Sequence, residues 1–94
     1  MIMNTEFIRL IEHAISYSDL LAKSVIGTDN SWMAEDAVTA KEQFQRIKDD
    51  VLAGKLLPSQ GAGLGITRAL GEWAPDDLYA AGKAVEDYFR ENWK

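Results

Sequence analysis

The sequence predicts an all-α domain: a small four-helix bundle of two long helices, one short helix and a long C-terminal helix. Three observations predict it. Apolar residues recur at spacings of three and four through most of the chain. No segment alternates polar and apolar residues as a strand would. The breaks between periodic segments fall at glycine, proline and cap-type residues. At 94 residues, the span 1–94 is expected to form a single domain with one core.

The first segment opens at Asn4 or Thr5, either of which can cap a helix, with Glu6 complementing the dipole in the first turn. Phe7, Ile8, Leu10, Ile11, Ala14, Ile15, Leu21, Ala22 and Val25 keep the helical period, and Gly27 is the expected stop. Asp29, Asn30 and Ser31 are each able to start the next helix. Met33, Ala37, Ala40, Phe44, Ile47 and Val51 then alternate spacings of four and three, a heptad seam that ends at Gly54.

Residues 55–65 read as a connection, because Pro58 disfavours helix at Leu57 and Gly61, Gly63 and Gly65 crowd five positions. Ile66, Ala69, Leu70 and Trp73 predict a short helix of about three turns, with Gly71 inside it as a cost. Pro75 suits the first position of the last helix, and Asp76 and Asp77 suit its positive end. On this helix Leu78, Ala81, Val85 and Tyr88 share one face, and Tyr79, Gly82, Phe89 and Trp93 lie beside them. The apolar arc covers about half the circumference, wider than the ~100° stripe that seats a surface helix.

Composition narrows the function. The apolar share of 47% supports a folded core, and the absence of cysteine excludes disulfides and thiolate chemistry. The start, Met-Ile-Met-Asn-Thr-Glu, lacks the pattern of a secretory signal, and no run reaches the ~20 apolar residues of a membrane span. A cytoplasmic setting without membrane contact is expected. The net charge of −5 leaves only the stretch 55–74 net positive, so no basic footprint for nucleic acid is present.

Candidate chemistry is sparse. His13 is the sole histidine and has no companion ligand or designated nucleophile. The acids occur in adjacent pairs, which diverge by 100° on a helix and do not converge on a metal. Asp49 and Asp50 are the odd pair, since they sit at a helix C-terminus where the dipole opposes them by about 0.3–1 kcal/mol. With no nucleophile–base pair, metal set or cofactor fingerprint, neither an enzyme nor a bound cofactor is expected.

Two readings follow. In the first, the protein is a non-enzymatic interaction module that binds a protein partner, possibly a basic one, or its own copy. Its contact residues would be Tyr79, Phe89 and Trp93 on the surplus arc, Glu86 on its polar rim, and Asp49 and Asp50. In the second, the glycine connection binds a small anion through backbone amides, with Lys55, Gly61, Gly63 and Arg68 around it. In size, acidity and four-helix character the chain resembles small bacterial immunity proteins that neutralise basic nuclease toxins, a likeness of gross properties that implies an inhibitory protein–protein role.

The seam of the second helix supplies the first test. Phe44→Ala should destabilise the fold by about 3–5 kcal/mol. Thermal or urea unfolding measures this, and a variant that melts with the parent would remove Phe44 from the core.

Overall fold

The computed structural model describes residues 5–59 and 63–93 and contains four helices. They are α1 (Thr5–Ser24), α2 (Met33–Leu52), α3 (Ile66–Leu70) and α4 (Asp76–Asn92). The fold is an all-α bundle, with no strand among the described residues. Asn4, a candidate cap, lies outside the described residues.

α1 and α2 form an antiparallel hairpin whose register is recorded by two cross-helix ion pairs. Lys41 Nζ meets Asp19 Oδ1 at 2.9 Å, and Lys48 Nζ meets Glu12 Oε2 at 3.1 Å. Solvated pairs of this kind contribute at most about 1 kcal/mol each, so the hairpin is held by its seams. Phe7, Ile11, Ala14, Ser18 and Ala22 are the buried positions of α1, and Ala37, Ala40, Phe44 and Val51 those of α2. Small residues dominate both seams near the connecting turn, and large ones dominate the other half. Ser18 is buried without penalty because its hydroxyl donates to Ala14 O at 2.9 Å.

The turn between these helices corrects one expectation. None of Asp29, Asn30 and Ser31 caps α2 through its side chain; Trp32 occupies the cap position in helical conformation. Thr28 organises the turn instead. Its hydroxyl donates to Val25 O at 2.7 Å and accepts from Asn30 N at 3.1 Å. Successive backbone bonds from Ser31, Met33 and Ala34 to carbonyls three residues earlier wind the chain directly into α2.

α4 runs antiparallel to α1, with Phe7 stacked on Tyr88 at 5.1 Å and tilted against Trp93 at 5.3 Å. Pro75 is the cap residue of α4 rather than its first helical residue, with φ −63° and ψ 160°. α3 is much shorter than its periodicity suggests: five residues, ending at Gly71, with Trp73 beyond it. The chain turns there because the amides of Trp73 and Ala74 both fold back onto Leu70 O, at 3.2 and 2.8 Å.

The wide apolar arc of α4 is explained by this arrangement. α4 packs against α1 on one side and against α3 on the other, so both stripes are used inside the monomer. Gly82 is the point of closest approach: a Cβ there would collide with Leu70 Cδ1 and stand 3.0 Å from Ile66 Cγ2. Gly82→Ala tests the fit. Helix propensity favours alanine by about 1 kcal/mol, whereas overpacking a core costs about 1–3 kcal/mol. A net loss of stability is expected in urea unfolding; a gain would show slack between α3 and α4.

Candidate functional site

The most built polar arrangement in the molecule is where α3 meets α4. Glu86 projects from α4 into the start of α3 and is only 2% exposed. Its Oε1 accepts from the amide and hydroxyl of Thr67, at 2.9 and 3.1 Å. Its Oε2 accepts from the amides of Leu64 and Gly65, the latter at 3.0 Å. A short helix leaves its first amides without intrahelical partners, and here one carboxylate from another helix satisfies those of Gly65 and Thr67 together with the Leu64 amide just before the cap.

Local sequence makes this possible. Gly63 brings the backbone against α4 at a point where a Cβ would strike Glu86 Oε2 and lie 2.7 Å from Arg90 Nη2. Burial pushes the Glu86 carboxyl up. The hydrogen bonds from the Thr67 amide, Leu64 amide, Thr67 hydroxyl and Gly65 amide outweigh that push and hold it below its ordinary value of 4.5. Glu86 is therefore an interior anion, not a rim residue.

The other sequence-derived candidates divide. Phe89 is part of the core at 4% exposure, which corrects its expected outward position. Tyr79 and Trp93 are half-buried and packed against that core. Trp93 also donates its indole N–H to Leu56 O at 3.0 Å, while its carbonyl accepts from Ser59 N at 2.5 Å. Trp93 is covered by Phe7 of α1 and the 55–59 segment, and Tyr79 lies beside Gly71 at the end of α3. Asp49 is exposed and accepts from Gln45 Nε2 at 3.0 Å. Asp50 is half-buried, and its carbonyl accepts from Lys55 N at 2.8 Å.

The candidate anion residues do not share a cavity. Lys55 and Gly63 line one of about 360 Å3 with Asp50, while Arg68 lines another of about 420 Å3 with Asp36 and Glu72. Gly61 lies outside the described residues. The amides of Leu64, Gly65 and Thr67, which could cradle an anion, carry Glu86 instead. His13 is exposed, with its ring 4.8 Å from Tyr17. Among the described residues no group of three or more His, Cys, Asp or Glu is placed to hold a metal ion. No described helix is long and apolar enough to cross a membrane.

Sequence reasoning missed the bare surface at the α1–α2 turn. Leu20, Ile26 and Trp32 are 63%, 69% and 56% exposed. Leu20 also lines, with Tyr17, Leu21 and Ser24 of α1 and Pro75, Asp77 and Leu78 at the start of α4, a mostly apolar groove of about 280 Å3. The available signal was Leu20, an apolar residue outside the periodic set of α1. No protein family, curated protein or solved structure matches this chain.

Glu86 gives a test with a definite sign. Because its folded value lies below 4.5, its contribution to stability is fully present above that pH and is lost as pH falls through the folded value. Glu86→Gln should be clearly less stable than the parent at neutral pH, and the gap should narrow as pH falls below 4.5. Urea midpoints across the acid range measure this. An equal gap at both ends would mean that the charge of Glu86 does not hold α3.

Proposed function

We propose that the protein is a non-enzymatic interaction module that binds another protein through the end of the bundle carrying the α1–α2 turn. The observation behind this reading is the clustering of Leu20, Ile26 and Trp32, bare in the monomer, within thirteen positions of the chain at that end. Single exposed apolar residues are ordinary, but three at one end of a domain, one of them lining an apolar groove, point to a contact site. A tryptophan such as Trp32, held at the end of a helix, supplies an anchor of the kind that dominates interfaces at little ordering cost.

The interface thus lies on a different face from the outer stripe of α4. Packing against α1 and α3 occupies Phe89 and Glu86 internally, and Trp93 is tied down by Phe7, Leu56 and Ser59. A small-anion role has less to draw on, because the amides at the start of α3 already carry a carboxylate.

The test is photo-crosslinking in the native host, with a benzophenone amino acid placed singly at positions 20, 32 and 57. Leu57 is the control from the opposite end, being exposed there with Leu52. Discrete protein adducts from positions 20 and 32 are expected. Absence of adducts at positions 20 and 32, with the protein expressed and folded, would overturn the reading whatever position 57 gives.

A further inference from the structure

We infer that the groove between the end of α1 and the start of α4 takes a cationic amphipathic helix. This rests on the reading of the protein as an interaction module and names the chemistry of its partner. The groove's α1 wall is a helical stripe of Tyr17, Leu20 and Leu21, and its α4 wall is Pro75 and Leu78, with Asp77 at the lip. Its volume, about 280 Å3, falls below the ~300–1,000 Å3 of small-molecule pockets. A cleft of this kind suits large apolar side chains arriving on a partner's surface. Anchors spaced three or four residues apart on a helix match the way grooves between helices are filled.

Charge selects the occupant. Asp29 lies in the α1–α2 turn, Glu35 and Asp36 open α2, Glu72 follows α3, and Asp76 and Asp77 open α4. α1 and α2 are antiparallel and α4 opposes α1, so these carboxylates collect at one end of a molecule 44 Å long. Lys23 and Lys41 are both drawn onto Asp19, at 2.9 Å each. Together with Arg68 they leave this end at −4 of the chain's −5 (seven acids against three bases). An apolar groove in such a field favours an apolar stripe flanked by Lys or Arg.

The same field argues against other occupants. A second copy docked symmetrically would set these carboxylates against their own duplicates. Nucleic acid and anionic lipid headgroups would be repelled in the same way.

The probe is a fluorescein-labelled helical peptide of leucine and lysine, about 14 residues long, with leucines at i, i+3 and i+4 spacing. Two controls accompany it: one of the same composition with leucines scattered around the helix, and one with glutamate in place of lysine. Fluorescence anisotropy should show the amphipathic cationic peptide binding at least about tenfold tighter than either control. Its affinity should fall as salt rises from about 0.05 to about 0.5 M. Leu20→Ser should weaken it about tenfold without changing the melting temperature, because Leu20 is largely exposed. Asp76→Asn/Asp77→Asn should weaken it several-fold and flatten the salt dependence.

Equal binding of the scattered peptide, or full affinity in Leu20→Ser, would overturn the assignment, since charge alone would then explain the binding. A dimer in sedimentation that Leu20→Ser dissociates would give the groove to a second copy and also overturn it. The two levels separate cleanly. Crosslinks from positions 20 and 32 with no peptide binding would retain the module and remove the cationic helix as its partner, whereas peptide binding without any crosslink in the host would do the reverse.

Discussion

The carboxylate of Glu86 is the constraint on which the α3 side of the bundle depends. A five-residue helix cannot support itself, because nucleation fixes several residues before hydrogen bonds compensate. Placing a charge inside a protein costs several kcal/mol unless polar groups replace its lost hydration. Here each problem solves the other: the amides of Leu64, Gly65 and Thr67 need an acceptor, and Glu86 needs donors. The neutralising field comes from backbone dipoles, so the anion is stabilised without a buried cation. Once α3 is pinned, Ile66 and Leu70 lie over Gly82, and the second half of the apolar arc of α4 is covered.

The long helices were legible because their burial follows a single face. Of the seam read in α2, Ala37, Ala40, Phe44 and Val51 are buried, while Met33 and Ile47 are half-buried. Gly27 and Gly54 stand just past the two helices, at φ 81° and 71°. α3 was overextended because Trp73 continues the period, although the backbone has already turned back at Leu70. Periodicity counts side chains; it does not see where amides go. The role of Glu86 was hidden for the same reason, since a charged residue on an apolar helix reads as an edge. The available signal was its position, between Val85 and Phe89 on the buried arc, opposite a glycine-rich turn with unclaimed amides. Among the candidate site residues, Phe89 and Glu86 turned inward because a short helix and an irregular segment, neither of which has a strong pattern, provide the covering surfaces.

The two ends of the bundle divide the work. At one end Phe7, Tyr88 and Trp93 interlock, and segment 55–59 ties itself to the end of α4 through Ser59 and Trp93. Large residues fill both hairpin seams there. At the other end the seams are lined by small residues, the turn is held by local bonds from Thr28, and apolar and acidic side chains face outward. Packing energy is thus concentrated away from Leu20, Ile26 and Trp32, so a partner at the proposed site would leave the contacts that define the fold intact.

The single acceptor at the start of α3 also shapes how the native state opens. A helix capped by several separate groups can fray one bond at a time. α3 has no such gradation, because withdrawing Glu86 frees three amides and the Thr67 hydroxyl together. Residues 63–70 therefore form one cooperative unit, and their amides share one opening equilibrium in hydrogen exchange. In folding, the unit can assemble only once α4 has formed, because its cap is carried by α4 itself.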